Sequence, residues 1–291
     1  MRLEKNRYVD THTHLKHWSP DAQQTIEELL QAATEQQLSG VTITDHYDIE
    51  SVTDTGQRWI FDPQAYEQQH RLFYRRPSQR KDGEPVGLLL GIEMSYLPQH
   101  LAQMRSLIQD PRLDCSILSL HEYQGIDPVL HPEKLFGKSL PQVYAGLIET
   151  MADMAQAIPQ ADVIGHYDFF SRYALAQAPK MLYRHAPKAF DRLFKTMIQN
   201  QQALEINTRT IVALHEERGY SLAEAMPDAE LIKRYRQLGG TLVTLGSDAH
   251  CKQHVAHYFP QTAGWLAAQG VRYYTWFEAH KPHCAPLLEI E

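Results

Sequence analysis

The sequence contains little cysteine, and none of it is paired. Cys115, Cys251 and Cys284 are far apart, odd in number and outside any C-x-x-C motif. This excludes a disulfide framework and a thiolate zinc site as the basis of the fold. We expect three free thiols.

Long apolar runs and basic runs are also missing. The longest strongly apolar stretch, Val86–Ile92, is far shorter than the roughly 20 residues that span a bilayer, and the first residues lack an apolar signal core. No basic run exceeds Arg75-Arg76, and the formal net charge is −7. This balance argues against a nucleic-acid or anionic-membrane surface. We therefore expect a cytoplasmic protein without nucleic-acid or membrane partners.

No Gly/Ser-rich linker or repeat divides the chain, so a single domain over residues 1–291 is expected. Short apolar runs rich in β-branched residues alternate with segments of helical period, which is the pattern of parallel βαβ units. The eight predicted strands are Arg7–Asp10, Val41–Thr44, Val86–Ile92, Asp114–Leu120, Ala161–Gly165, Ala203–Ile206, Thr241–Leu245 and Val271–Phe277.

Seven helices are predicted between these strands: Thr25–Gln37, Gln64–Arg75, Gln99–Ile108, Leu140–Ala157, Pro187–Gln201, Leu222–Leu238 and Gln253–Gln269. Thr25 and Glu28 have the spacing of a capping box at the start of the first helix. Gly40 is expected to end that helix.

Histidine is abundant, with 16 residues, and its positions are informative. Polar residues follow most predicted strands: His12 and His14, Asp45 and His46, Glu93, His121, His166, Asn207 and Arg209, and Asp248 and His250. In a parallel barrel, residues just past the carboxyl ends of the strands converge on one face. The sequence therefore predicts one site rich in imidazoles and carboxylates.

These residue types suit a metal site. The pairs His12-x-His14 and Asp248-x-His250 offer imidazole nitrogens and a carboxylate, which Zn, Fe and Mn accept. Glu93 closes a nearly unbroken apolar run, and a buried carboxylate there needs a compensating metal or arginine. The same argument applies to His121 and His166, which also follow strands.

Other polar residues near the strand ends fit supporting roles or more than one role. Asp10 and Asp45 are expected to orient ligand imidazoles rather than bind metal. Asp21 is either a ligand or a turn residue, and His17 competes with it for the ligand role. Arg172 and Arg209 are either solvated charges or a guanidinium clamp for phosphate.

Seven motifs together resemble one known family: Asp10-Thr-His-Thr-His14, Thr44-Asp-His46, Gly91-Ile-Glu93, Ser119-Leu-His121, Gly165-His166-Tyr-Asp168, Glu205-Ile-Asn207 and Gly246-Ser-Asp-Ala-His250. Their order and spacing resemble the polymerase-and-histidinol-phosphatase (PHP) superfamily of metal-dependent phosphoesterases, from residue 8 to about residue 288. The closing segment, residues 270–277 with Lys281-Pro282, is similar to the histidinol-phosphatase branch.

The resemblance implies a single-domain α/β fold, a distorted TIM-like (β/α)7 barrel, so one of the eight predicted strands should be peripheral. It also implies three divalent metal ions of Zn, Fe or Mn type. Their ligand sets would be His12, His14, Glu93 and Asp248; Asp21, His46 and His250; and Glu93, His121 and His166. The loop between His14 and Asp21 is one residue longer than the family pattern, so the choice between Asp21 and His17 stays open.

The implied activity is hydrolysis of a small phosphomonoester, with histidinol phosphate as the first candidate substrate. Glu93 would act as a bridging carboxylate, Arg172 and Arg209 would hold the phosphate, and either water or Asp168 would protonate the leaving group. The alternative within the family is another small phosphate ester or a nucleotide.

Two more distant alternatives fit the sequence less well. An amidohydrolase-type deaminase would carry a metal-bridging lysine where His121 stands. A polymerase-associated accessory module would not need all nine ligand positions filled. The sequence does not indicate an oligomeric state.

Overall fold

The computed structural model describes residues 8–52, 56–81, 83–137, 139–175 and 179–288. Arg7, the first residue of the first predicted strand, lies outside this range. The strands are β1 (Val9–Thr13), β2 (Gly40–Ile43), β3 (His46–Val52), β4 (Arg58–Trp59), β5 (Gly87–Ser95), β6 (Cys115–Ser119), β7 (Val163–Ile164), β8 (Ala203–Asn207), β9 (Val243–Gly246), β10 (Tyr273–Glu278) and β11 (Lys281–Pro286).

Seven parallel strands form a barrel in the order β1-β2-β5-β6-β7-β8-β9. The first and last strands of this series meet and close the ring. The Thr11 hydroxyl donates to the Leu245 carbonyl at 2.9 Å, the Asp248 amide donates to the His12 carbonyl at 2.8 Å, and Thr13 forms a parallel bridge with Ala249. The predicted fold class, a distorted (β/α)7 barrel, is confirmed.

The eighth predicted strand is the peripheral one. It forms β10, which pairs antiparallel with β11 outside the barrel. Ala279 and His280, at the hairpin tip, both have positive φ, and the tip docks below the barrel. The Ala279 amide donates to Asp114 at 2.9 Å, and Nδ1 of His280 lies 2.7 Å from Oδ2 of Asp162. Both aspartates precede barrel strands, so the hairpin covers the amino-terminal face.

The α-helices lie on the connections between strands. They are α1 (Ile26–Glu35), α2 (Pro63–His70), α3 (Leu101–Ile108), α4 (Pro132–Leu135), α5 (Leu140–Ala157), α6 (Pro187–Asn200), α7 (Thr208–Val212), α8 (Leu222–Ala225), α9 (Ala229–Gln237) and α10 (Phe259–Ala268). The predicted capping box of α1 is confirmed: Thr25 accepts from the Glu28 amide, and Glu28 accepts from the Thr25 amide. Within the described ranges, no helix is long and apolar enough to cross a membrane.

Several predicted boundaries were wrong for local reasons. The helix predicted over Leu222–Leu238 is two helices, because Pro227 interrupts the backbone hydrogen bonding and Asp228 caps α9. The last predicted helix begins only at Phe259. The chain leaves α1 through Gln37, which has a φ of 55°, whereas Gly40 already belongs to β2.

The hairpin formed by β3 and β4 was not predicted. Its strand β3 continues directly from the end of β2, and its first residues pair in parallel with β5, joining His46 to Glu93. This pairing places a histidine beside a buried glutamate. It also makes the barrel wall irregular at the carboxyl end, where the polar residues converge.

Candidate metal centre

The structure brings together the nine histidine and carboxylate side chains that the sequence singled out as ligands. They come from the carboxyl ends of the barrel strands or the loops that follow: His12, His14, Asp21, His46, Glu93, His121, His166, Asp248 and His250. Most of them are buried, and Asp21 is the most exposed. They meet at the face of the barrel opposite the β10–β11 hairpin.

Glu93 lies at the centre of this cluster and is fully buried. Its Oε1 accepts a hydrogen bond from Ser119 at 2.7 Å and lies 2.7 Å from Nε2 of His166 and 3.1 Å from Nε2 of His121. Its Oε2 faces the other way, 3.4 Å from Nε2 of His12 and 3.0 Å from Nδ1 of His46. The two oxygens therefore face two separate groups of imidazoles.

The group on the Oε2 side contains the spaced histidine pair. Nε2 of His12 and Nε2 of His14 are 3.0 Å apart. Oδ1 of Asp248 lies 3.3 Å from Nε2 of His14 and 3.7 Å from Nε2 of His12. Asp248 has a φ of 51°, a left-handed conformation that Asp adopts more readily than most residues, and this turns its carboxylate into the barrel mouth.

A further group lies nearer to solvent. Nε2 of His46 and Nε2 of His250 are 3.4 Å apart, and Oδ2 of Asp21 lies 3.5 Å from the former and 3.0 Å from the latter. His17 is exposed and packs its ring edge-on against Trp18. The geometry thus brings Asp21, and not His17, to the cluster.

Glu205 is a supporting residue that the sequence analysis placed in a motif but gave no role. It is fully buried in β8; its Oε1 accepts from Nδ1 of His12 at 2.7 Å and its Oε2 from the His166 amide at 2.6 Å. A carboxylate on the far nitrogen of a ligating histidine fixes the ring and its tautomer. The signal was available, because Glu205 stands among apolar residues in a buried strand, as Glu93 does.

Gly246 makes room for this contact. A Cβ at position 246 would lie 2.2 Å from Oε1 of Glu205 and 2.7 Å from Cβ of His12. No side chain fits between these two groups. The absence of a side chain at Gly246 therefore allows Glu205 to reach His12.

The two aspartates expected to orient ligands act in different ways. Oδ1 of Asp45 accepts from the Ser19 hydroxyl at 2.7 Å, and Ser19 Oγ lies 3.3 Å from Nδ1 of His14, so Asp45 reaches the imidazole through Ser19. Asp10 instead accepts from the backbone amides of Ser247 and Ala256. It also accepts from the His12 amide at 3.3 Å, so it holds the loop after β9 and the backbone of one ligand residue, and none of its hydrogen bonds within the described residues goes to a ligand ring. Burial raises the pKa of both carboxyls to about 6, although their hydrogen bonds oppose the rise.

Asp48 was not singled out from the sequence either. Its Oδ2 lies 3.4 Å from Nδ1 of His121, on the side of the ring away from Glu93. Its Oδ1 accepts from the Ser95 amide at 3.1 Å. Because Asp48 lies in the unpredicted strand β3, no strand-end argument pointed to it.

Arg172 and Arg209 both line the cavity above the cluster, but they differ in how they are held. Arg172 donates to Oδ2 of Asp248 at 2.9 Å, to Asn207 at 3.0 Å and to Thr210 at 3.0 Å. Thr210 in turn donates to Asp168 at 3.1 Å. Asp168 is not among the residues that line the cavity and lies behind Arg172.

The donor set fits metal ions. Within the part of the chain that the structure describes, Oε2 of Glu93 accepts no hydrogen bond despite complete burial. Burial opposes its charge, but His12, His121 and His46 outweigh burial and hold the pKa of Glu93 well below its usual value. Burial and the neighbouring His250 and His46 lower the pKa of His14, which favours the neutral ring that a metal binds.

A cavity of about 690 Å³ opens over the cluster. Its outer wall carries Trp59, Phe169 and Tyr173 together with the carboxylates of Glu122 and Asp127. Partial burial, followed by the negative charges of Asp127 and Asp48, raises the pKa of Glu122 above its ordinary value. The wall therefore combines aromatic faces with negative charge.

Comparison with known proteins agrees with this geometry. The profile of the PHP domain family matches residues 10–209. A probable histidinol-phosphatase of Clostridium acetobutylicum is 28% identical over 252 residues, covering 86% of this chain and 89% of that protein. A histidinol-phosphatase of Lactococcus lactis is 22% identical over 243 residues, covering 83% and 84%.

A solved structure has the same fold. The crystal structure of histidinol phosphate phosphatase from Lactococcus lactis, complexed with zinc, L-histidinol and phosphate, superposes with a TM-score of 0.75 at 20% identity. The superposition covers 96% of this chain and 100% of that one.

Proposed function

The chain belongs to the PHP domain family, and we propose that it is a metal-dependent phosphomonoesterase that hydrolyses histidinol phosphate to histidinol and inorganic phosphate. One observation carries the proposal: three groups of metal-ligating side chains, two of them sharing the buried Glu93, lie beneath a cavity with arginines on one side. The names of the relatives support the substrate.

The three groups would hold three divalent ions, as the family resemblance implies. Glu93 would contribute one oxygen to the set with His12, His14 and Asp248, and the other to the set with His121 and His166. Asp21, His46 and His250 would form the third set. Zinc in the Lactococcus lactis structure supports zinc here, while mixed nitrogen and oxygen ligands also suit iron or manganese.

Bound divalent ions would supply an acidified water and neutralise phosphoryl oxygens during in-line attack. The chain itself would bind and orient the ester. Arg209 offers its guanidinium to the phosphate, whereas Arg172, with three donors engaged by the protein, holds Asp248 and Asn207 in place and adds positive charge. Arg172 would therefore both position Asp248 and Asn207 and add positive charge beside the phosphate. Its hydrogen bonds support the first role.

The outer wall of the cavity suits the leaving group. Histidinol carries an ammonium group and an imidazole; the carboxylates of Glu122 and Asp127 would attract the ammonium, and the rings of Phe169 and Tyr173 line the same cavity. A nucleoside monophosphate would instead place an uncharged nucleoside at the same wall, where the carboxylates would find no cation to pair with. The acidic wall therefore favours a cationic ester over a nucleotide.

Either water or Asp168 would protonate the leaving alkoxide. Burial raises the pKa of Asp168, even though Arg172 and Thr210 oppose the rise. Its position behind Arg172 favours a role in holding Thr210 and Arg172. If Asp168 is the acid, Asp168→Asn abolishes the basic limb of the pH–rate profile; if it positions Arg172, the variant lowers turnover without changing the profile's shape.

The direct test is kcat/KM for histidinol phosphate against that for a nucleoside monophosphate and a simple sugar phosphate, with metal content measured on the same sample. We expect histidinol phosphate to be preferred by at least about a hundredfold. A preference for a nucleotide or another ester would refute the substrate and leave the family standing. On its charge balance, we also propose a cytoplasmic protein without nucleic-acid or membrane partners.

A further inference from the structure

The two terminal nitrogens of the Arg209 guanidinium have different surroundings. Nη2 lies 2.7 Å from Oε1 of Glu217. Nη1 is buried and has no hydrogen-bond partner among the residues that the structure describes. Arg209 lines the cavity and its side chain is 26% exposed, so this side chain can meet a phosphate bound there.

The contact with Glu217 depends on an irregular helix. The α-helix α7 (Thr208–Val212) continues as a π-helical segment over Ala213–Glu217. Glu217 is eight residues after Arg209, and a regular α-helix would place it roughly 80° around the axis from Arg209. A π-helix turns less per residue, with roughly 4.4 residues per turn, so the segment brings Glu217 back beneath Arg209.

A guanidinium is planar, so fixing one terminal nitrogen restricts the direction of the other. We propose that Glu217 is a positioning residue that holds the Arg209 guanidinium in the direction needed to bind phosphate. Glu217 itself is half-exposed and does not line the cavity. The inference rests on the proposed function only in that it takes the ligand of Arg209 to be a phosphoryl group.

Positioning and simple charge effects predict opposite results. If Glu217 acted only through its charge, its removal would free Arg209 and strengthen phosphate binding. If it sets direction, removal leaves a mobile arginine that must be ordered on binding, and phosphate binds more weakly. Glu217→Gln separates the two effects further, because its amide oxygen still accepts from Nη2 without the negative charge.

The experiment is calorimetric titration of the metal-loaded protein with inorganic phosphate, together with steady-state kinetics. We expect Glu217→Ala to weaken phosphate binding and raise KM by about three- to tenfold, with kcat changed less than twofold. Glu217→Gln should restore affinity to within about twofold of the unmodified protein. Metal content should be unchanged in both variants.

Two further variants complete the design. Glu216→Ala is the matched control, because Glu216 is the adjacent carboxylate in the same π-helical segment but contacts His257 and Tyr258 at the surface. It should leave phosphate binding unchanged. In an Arg209→Ala background, Glu217→Ala should have no further effect, since Glu217 acts through Arg209.

The inference is overturned if Glu217→Ala binds phosphate as tightly as the unmodified protein or more tightly, or if its effect persists in the Arg209→Ala background. It is also overturned if Arg209→Ala itself leaves phosphate binding unchanged. Failure to hydrolyse histidinol phosphate, with the coupling between Glu217 and Arg209 intact, would instead refute the substrate. The titration needs no turnover, so the two failures are distinguishable.

Discussion

His70 should make the stability of this protein depend on pH below neutrality. It ends α2, is 1% exposed and packs its ring edge-on against Tyr66. Neither ring nitrogen has a hydrogen-bond partner within the described residues. Burial, with a smaller effect from His17, lowers the pKa of His70 from 6.5 to about 4. The folded protein therefore keeps the ring neutral at a pH where the unfolded chain protonates it.

The direction and size of this pH dependence follow from proton linkage. Below pH 6.5 the unfolded state binds a proton that the folded state does not, so the contribution to stability falls as pH drops and levels off near pH 4. Because pH 5 lies 1.5 units below the unfolded-state pKa of 6.5 and still above the folded-state pKa, the loss of stability there is about 2 kcal/mol at about 1.36 kcal/mol per unit. At pH 7.5 the penalty for protonation is negligible.

Replacing His70 with Leu should remove this dependence. Relative to the unmodified protein, we expect the variant to gain about 2 kcal/mol in free energy of unfolding when the pH is lowered from 7.5 to 5.0. His70→Gln is the control: it also removes the titrating ring but keeps an unpartnered polar group. Both variants should show the same pH-dependent gain in free energy of unfolding. His70→Leu should also be more stable than His70→Gln by about 1 kcal/mol at both pH values, because it leaves no unpartnered polar group.

The assay is urea unfolding of the three proteins at both pH values, comparing differences between proteins so that metal loss at low pH affects all of them equally. A difference between His70→Leu and the unmodified protein that stays the same at pH 7.5 and 5.0 would refute the reasoning. It would mean that the buried ring has an ordinary pKa or a partner in the folded protein.

Three further predictions concern the support of the site and the hairpin below the barrel. Gly246→Ala should displace Glu205 from His12 and lower both metal content and melting temperature; an unchanged metal content would contradict the steric argument. Glu205→Gln should weaken metal retention about 10- to 100-fold in chelator competition, while wild-type retention would show that the His12 contact is dispensable. Although burial opposes it, the hydrogen bond to Asp162 raises the pKa of His280. The protonated His280 should therefore stabilise the fold by about 1 kcal/mol below pH 6.5, and this contribution should be lost as pH rises through the raised pKa. Urea unfolding of His280→Asn at pH 6 and pH 9 checks this, and equal destabilisation at both would contradict it.

The parts of the site that the sequence predicted share one cause. His121, His166 and Asp248 follow short buried strands, and parallel strands bring whatever follows them to one face. This convergence depends only on strand order and direction. Errors of a few residues at strand or helix ends therefore did not disturb it.

The roles that were missed depend on features that periodicity does not encode. Glu205 lies inside a strand, where the alternation of residues gives no sign that its partner is His12, 193 positions earlier in the chain. Asp48 lies in a polar strand that does not resemble a barrel strand. Which of Asp21 and His17 lies beside the other candidate ligands depended on the path of one loop, which only the folded chain shows.

The central claim is that Glu93 joins two metal sites in a centre of three ions. The most direct measurement is elemental analysis of the unmodified protein and of Glu93→Gln, prepared without chelator, with phosphate release from histidinol phosphate recorded on the same samples. We predict about three ions per chain in the unmodified protein and, in the variant, loss of metal together with loss of turnover, because Gln keeps the size of the side chain but removes the charge that attracts both cations. Full metal content with wild-type turnover in Glu93→Gln, or full activity of the unmodified protein without metal, would contradict the account.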